Sequence, residues 1–325
     1  MKSQLKLAGH HISTSFLFRV LGIGDIESTR EISTFFVQMG QFIDHDLTLT
    51  PETPDAPDCC KRNGAGKLWV FNENFDRDSC IPIRIPVEDP VWRRRKRTCY
   101  EVRRSAVALN IPDCEAKRER EQFNALTHFL DMSNVYGSTT KEARDVRDGM
   151  LLKEDAESRS RDSGRPHLPH LPACSQQINN NNACEGICKQ RGRRCKVAGD
   201  HRVNEQMGLT SHHTLWLREH NRLATKLESL NTHWDSDRVF QETRRIVIAQ
   251  WQHIIYSEWL PLLLGRTYMS TFGLLPQTRG YSSSYNEGLD PRIYNEFATA
   301  AFRCGVWDGT SFKIQVPGLV LQLSD

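Results

Sequence analysis

Two long apolar stripes separated by residues 231–235 constrain this chain more than any other feature of its sequence. From Thr210 to Leu230 the residues Trp216, His220, Leu223, Leu227 and Leu230 recur at helical spacing, and from Ser236 to Leu260 so do Val239, Ile246, Val247, Gln250, Ile254 and Trp259. Asp235 or Ser236 offers an N-cap for the second stripe, and Pro261 predicts its end. A third stripe begins at Glu31, with Ile32, Phe35, Phe36, Met39, Phe42, Ile43 and Leu47 three and four apart. Stripes of this kind need a shared core. The expected class is mainly α, with long loops and little strand.

The composition fits a globular protein, since 38% of the 325 residues are hydrophobic and 26% charged. A net charge of +3 is too small and too scattered to predict a nucleic-acid partner. The dense basic run Arg93-Arg94-Arg95-Lys96-Arg97 reads as a solvated loop or a proteolytic processing site. No stretch reaches the roughly 18 apolar residues of a membrane span. The N-terminal segment, interrupted by His10, His11 and Arg19, makes a poor signal peptide. Nine of the ten cysteines lie between Cys59 and Cys195. In loop-like sequence they read as disulfides of an exported protein, with the pairing open; Cys174, Cys184, Cys188 and Cys195 leave zinc as the rival reading. An exported chain would then need another route or an N-terminus outside this sequence.

Residues 50–100 carry so many prolines and glycines that loops are expected there, with at most short strands near Leu68 to Phe71. A helix is expected over Ala116 to Leu126, and a long polar surface excursion over Glu154 to Arg194. Nothing forces a second domain, so residues 1–325 are read as one.

Three stretches carry polar groups that such a core does not explain. In GQFIDHDLT, Gln41, Asp44 and His45 fall on one helical face at i, i+3 and i+4, while Asp46 is turned about a quarter of a circle away. Buried polar groups that converge need a partner, which here means a ligand, a metal or a cofactor. In NALTHFLDMSNVYGS, the alternating Thr127, Phe129, Asp131 and Ser133 offer hydroxyl, carbonyl and carboxylate oxygens of the kind Ca²⁺ takes, although alternating polar residues also make ordinary turns. In AGDHRVNEQ, Arg202 and Glu205 are either a plain ion pair or a fixed cation and a carboxylate aimed at a site.

GQFIDHD, ALTHFLDMSNVYGS and AGDHRVNE followed by LTSHHTLWLREHNRLATKL resemble, in this order, the animal haem peroxidase family, from about Thr29 to Gly305. The resemblance implies that family's helical fold and haem b as cofactor. It also implies hydrogen peroxide as substrate, with halide, phenolic or tyrosine-like reducing donors. His45 then corresponds to the distal histidine, Arg202 to the distal arginine and Gln41 to a glutamine of the same cavity. Asp44 and Glu205 correspond to the carboxylates that can form ester links to haem, and Arg303 to an arginine near a haem propionate. Gln206 stands where some relatives carry a methionine that forms a further link. Asp46, Thr127, Phe129, Asp131 and Ser133 correspond to a calcium site, while His212, His213, His220 and His253 match no haem contact and read as structural. Secretion, with extracellular-matrix or cell-surface partners, is implied on the same footing.

The resemblance ends abruptly. FATAAFRCG is followed in the family by the proximal histidine, but here by Val306, and no histidine follows His253. An axial ligand tunes the iron that it binds, so weak or absent turnover is expected. Residues 306–325 diverge from the family, residues 1–28 match it poorly, and the domain is read as incomplete at its C-terminus. The alternative is an inactive peroxidase-like fragment or isoform with an adhesive or binding role.

Overall fold

The computed structural model describes residues 33–53, 58–63, 69–74, 78–86, 88–89, 92, 97–109, 120–155, 164–171, 195–280, 282–283, 285–299, 313–316 and 319–322. They fall into two compact units, one from residues 50–124 and the other from residues 29–49 with 125 onward.

The first unit has little regular structure, as its prolines and glycines predict. Strand β1 (Cys60–Arg62) pairs antiparallel with β2 (Trp69–Phe71), with Arg62 opposite Trp69, and β3 (Ile83–Arg84) pairs with β4 (Cys99–Tyr100). Disulfides Cys59–Cys80 and Cys60–Cys99 staple these short ladders, where apolar burial alone would be thin. The described part of the expected helix over Ala116 to Leu126 is instead extended. Ala108 and Phe123 donate their N–H groups to Glu121 and Ala106 across a strand-like pairing, and Phe123 remains exposed. Backbone pairing outcompetes helix formation there because the segment has no apolar face to bury.

The second unit is helical. Helix α1 (Thr34–Leu47) is followed by two short helices, α2 (Ser133–Tyr136) and α3 (Thr140–Val146), the latter opened by a reciprocal Thr139–Glu142 capping box. A hairpin of β5 (Arg147–Asp148) and β6 (Leu151–Leu152) comes next, then a 3₁₀ turn over His201–Asn204. Long helices α4 (Met207–Leu230) and α5 (Ser236–Ile254) are the two sequence stripes. Gln206 caps α4 through the Gly208 N–H, three residues ahead of the expected start, and Asp235 caps α5. Leu230 and Ile246 are exposed, so both stripes are narrower than the sequence suggests. Helix α7 (Asn295–Thr299) and the hairpin of β7 (Lys313–Val316) and β8 (Leu319–Gln322) close the element order.

The core lies where α1, α4 and α5 meet. Trp251 is fully buried and packs edge-on against Phe42 of α1 at 5.4 Å and Trp216 of α4 at 5.6 Å. Pro261 does not end the helical path, because a π-turn over Ile255–Trp259 leads directly into α6 (Leu260–Thr271). Pro261 sits in the first turn of α6, where a missing N–H costs least, and Gly265, at φ 75°, kinks the helix further on. The π-turn also sets a register. In a plain α-helix, Trp251 and Trp259 would point about 80° apart, but one extra residue in the turn closes this to about 20°. Both indoles therefore reach α1: Trp251 Nε1 donates to Asp46 Oδ2 at 2.9 Å and Trp259 Nε1 to the Phe36 carbonyl at 3.1 Å.

The AGDHR segment approaches the α2 region closely. A Cβ added at Gly199 would lie 2.4 Å from the Gly137 backbone nitrogen and 2.6 Å from the Val135 carbonyl. Neither backbone group can yield cheaply. Gly199→Ala should therefore destabilise the protein by about 2–3 kcal/mol, read as a lowered urea midpoint with an unchanged slope.

Candidate active site

The last two turns of α1 present their polar groups to the 3₁₀ turn and the start of α4. His45 is buried, with its Nε2 3.7 Å from Glu205 Oε2. Burial, reinforced by the Arg202 charge and partly opposed by Asp200, lowers its pKa to about 3. The imidazole is therefore neutral at physiological pH, and its approach to Glu205 is not an ion pair despite the short distance. Its Nδ1 is buried and makes no hydrogen bond among the described residues.

Gln41 Nε2 donates to Glu205 Oε2 at 3.2 Å, and Gln206 Nε2 donates to Gln41 Oε1 at 2.7 Å and also bonds Gln38. A continuous polar chain thus runs from Gln38 through Gln206 and Gln41 to Glu205, beside His45. Gln41, His45 and Glu205, expected from the sequence at one site, lie together. Gln206 joins them, which its residue type does not foretell; the available signal was a side chain able to cap α4 through its Oε1 while its amide faces α1. Asp44 is buried and accepts a hydrogen bond from the Thr48 hydroxyl at the end of α1.

Arg202 is held more firmly than the sequence suggests. Its Nε and NH2 donate to Asp200, its NH1 to the Thr48 carbonyl at 2.9 Å and its NH2 to the His45 carbonyl at 3.3 Å. Burial pushes the Asp200 carboxyl up, but the hydrogen bonds and charge of Arg202 prevail and hold it at about 2. The guanidinium is thereby fixed against the C-terminal carbonyls of α1, the favourable end of the helix dipole for a cation. In sequence Asp200 carries no sign of this role beyond its position two residues before Arg202.

Asp46 faces the opposite way from this cluster's polar chain in its bonding, toward the α2 loop and α5. It is completely buried, and its Oδ2 accepts from the Met132 N–H at 3.1 Å and from Trp251 Nε1 at 2.9 Å, while Ser133 Oγ bonds its Oδ1 at 3.3 Å. Thr127 Oγ1 and the Ser133 N–H both donate to Asp131 Oδ1 at 3.0 Å. Thr127, Asp131, Ser133 and Asp46 are thereby linked, whereas the Phe129 side chain is exposed, leaving its carbonyl as the oxygen it would offer. Among the described residues no group of three or more His, Cys, Asp or Glu side chains is placed to hold a metal. Met132, in the middle of the loop, is buried in a left-handed conformation at φ 56°, a strained state for this residue, and from there gives its N–H to Asp46. Trp251 was missed in the sequence, where a tryptophan within an apolar helix gives no sign of its indole partner.

His220 bonds the Tyr136 hydroxyl and the Met150 carbonyl, His212 stacks on Phe35 and Phe42, and His213 packs edge-on against Phe42. His253 is exposed and bonds Ser257. Cys195 is disulfide-bonded, which removes it from the zinc reading. Arg303, Val306, Cys174, Cys184 and Cys188 lie outside the described residues.

The animal haem peroxidase family model matches residues 9–308. The chain is 39% identical over 314 residues to the peroxidasin homolog of Mus musculus, covering 94% of this chain and 20% of that protein. It is 37% identical over 278 residues to the chorion peroxidase of Aedes aegypti, covering 84% of this chain and 33% of that protein. Among solved structures, peroxidase A from Dictyostelium discoideum superposes with a TM-score of 0.58 at 27% identity, over 86% of this chain and 48% of that one. The chain thus spans between a fifth and a half of the length of these relatives. Among the described residues no helix is long and apolar enough to cross a membrane.

Four buried histidines set the acid response, His212 among them, lowered by burial against the opposing bond to the Gly208 carbonyl. Burial lowers His45 to about 3, and His213 and His220 to about 4, all below their ordinary value. Between those values and about 6.5 the unfolded chain binds more protons than the folded one, so stability rises with pH across that window and is lost as pH falls through it. Urea midpoints should fall steadily from pH 7 to pH 4.5, and His213→Leu should flatten this slope.

Proposed function

The chain belongs to the animal haem peroxidase family, and from that premise we propose that it uses hydrogen peroxide to oxidise a small donor, a halide, a phenol or a tyrosine-like group, outside the cell. The observation that carries this reading is the buried, neutral His45 set beside Glu205 and Gln41, a proton acceptor facing polar groups that the core does not require. Haem fits this side of the site, because the donor set offers a neutral imidazole, two carboxylates and a fixed cation. Asp44 and Glu205 would hold the haem by ester links, and Arg303 would pair with a propionate. When bound, haem would supply the redox chemistry that couples reduction of peroxide to oxidation of the donor. His45 Nε2 accepts one peroxide proton and returns it to the oxygen that leaves as water. Arg202 supports the negative oxygen electrostatically from its clamp on Asp200, and Gln41 orients water or halide near Glu205.

Ca²⁺ would sit among Asp46, Thr127, Phe129, Asp131 and Ser133 and fix the backbone beside His45. The oxygen types suit it, and Asp46 in the absence of a cation is unfavourably charged: burial, opposed by the Trp251 hydrogen bond, raises its pKa to about 7. Its folded pKa lies above its ordinary value, so Asp46 by itself contributes stability to the cation-free protein that is lost as pH rises from about 4 to about 7, opposite in sign to the contribution of the buried histidines. Added Ca²⁺ should therefore raise the melting temperature more at pH 7.5 than at pH 5.5. Asp46→Asn should abolish the increment.

Val306 favours a second reading, a peroxidase-like chain with an adhesive role and little turnover. The test is the visible spectrum and peroxide turnover of the haem-supplemented protein beside Val306→His and His45→Ala. The peroxidase reading expects a haem absorption band, and a loss of turnover in His45→Ala of about 10²-fold or more. Val306→His should raise turnover. A chain that takes up no haem in either the parent or the Val306→His form would overturn the peroxidase reading and leave the adhesive one.

A further inference from the structure

The first unit carries a cationic face that neither the fold nor the proposed chemistry uses. Trp69 and Phe71 are two apart on β2, so their rings share one face of the strand, about 7 Å apart. Three arginines lie over this aromatic stripe. Arg62, the cross-strand partner of Trp69, has its guanidinium 5.4 Å from that ring, Arg97 lies 4.8 Å from it, and Arg84 lies 4.9 Å from Phe71. Arg97 also reaches the ring of Trp92, at 5.6 Å. The three come from β1, β3 and the entry to β4, elements joined by the Cys60–Cys99 disulfide and by the Thr98 N–H bonding the Trp69 carbonyl at 3.0 Å.

None of the three forms an ion pair among the described residues. Asp58 and Glu101, each four residues from Arg62 and Arg97 respectively, both pair with Arg103, and Asp89, five residues from Arg84, accepts from the Trp92 N–H. Cation–π attraction holds each guanidinium over its ring without using its N–H donors, which stay available to bind sulfate, phosphate or carboxylate in a forked pair. The rotamer entropy that a long side chain ordinarily loses on binding is already spent. A single small anion would engage only one of these edges. A chain bearing repeated anions would engage all three.

We propose that this face, Arg62, Arg84 and Arg97 over Trp69 and Phe71, binds a sulfated polysaccharide. Nucleic acid fits less well, because the aromatic rings on which bases would stack are already covered by guanidinium groups. The paired disulfides place this surface in an oxidising environment, where sulfated chains are available as ligands. The whole-chain charge of only +3 makes the local arrangement, rather than bulk electrostatics, the source of affinity.

The test measures binding of the full chain to heparin, to a single-stranded oligonucleotide and to phosphatidylserine vesicles, over a salt series. Arg62→Gln/Arg84→Gln/Arg97→Gln should weaken heparin binding about tenfold or more and reduce its salt dependence, because fewer counterions are exchanged. A control that removes equal charge from ion-paired surface positions, Lys141→Gln/Arg222→Gln/Arg245→Gln, should change it less than threefold, in the range of screened surface charges. If the glutamine variant loses its folded near-ultraviolet spectrum, the lysine triple variant decides the question: it keeps the charge but loses the forked, stacked geometry, and should fall clearly below the parent. Equal losses in the control, no loss in either arginine variant, or oligonucleotide or vesicle binding as tight as heparin binding with the same dependence would each overturn the proposal.

Discussion

The second unit is organised around one buried carboxylate. Asp46 has no solvent access, and a charge or even a carboxyl group in such a place is tolerable only when hydrogen bonds replace the lost water. Its donors come from two directions, the Met132 N–H and Ser133 hydroxyl in the α2 loop and the Trp251 indole in α5. Helix α1, that loop and α5 are thus tied at one point. His45 is the adjacent residue, so whatever fixes Asp46 fixes the backbone that carries the imidazole. The strained backbone of Met132 belongs to the same arrangement, since the left-handed turn is what aims its N–H at the carboxylate.

A second set of constraints reaches the same helix from the other side. Arg202 closes the α1 C-terminus by donating to two of its last carbonyls, and Asp200 keeps the guanidinium there. Farther up the helix, the Trp259 indole bonds the Phe36 carbonyl, a contact that exists only because the π-turn brings Trp259 into line with Trp251. His45 is held along a rod pinned at both ends, which is the precondition for a group that must meet a small reactant within hydrogen-bonding distance. Its neutrality follows from the same burial, aided by the nearby Arg202 charge.

The helical class was legible because helical periodicity is written directly into α1, α4 and α5, and the convergence of Gln41, His45 and Glu205 followed from short-range spacing plus motif resemblance. What could not be read was tertiary. Pro261 looks like a stop in sequence, and only the wide turn before it explains why the helix continues. The Ala116 to Leu126 expectation rested on composition, and its described part is settled by extended pairing with residues 106–108. Cysteine pairing depends on strand register, which sequence does not give, and the partners of Asp46 lie about 86 and 205 positions away along the chain.

These interactions also separate what the fold needs from what chemistry would need. Asp46, Arg202, Asp200, Trp251 and Gln206 all satisfy buried or capping groups, so their presence is accounted for by the packing of α1 whether or not the chain turns over peroxide. Glu205 is different. Its backbone closes the 3₁₀ turn, but its side chain is half exposed and runs to Gln41 and to the neutral His45. Such a carboxylate contributes little to stability, because a neutral partner and open solvent leave it without a strong electrostatic reward. The Gln41, His45 and Glu205 cluster is therefore not accounted for by the packing of α1 alone, and a chain that retained only the architecture would be free to lose it.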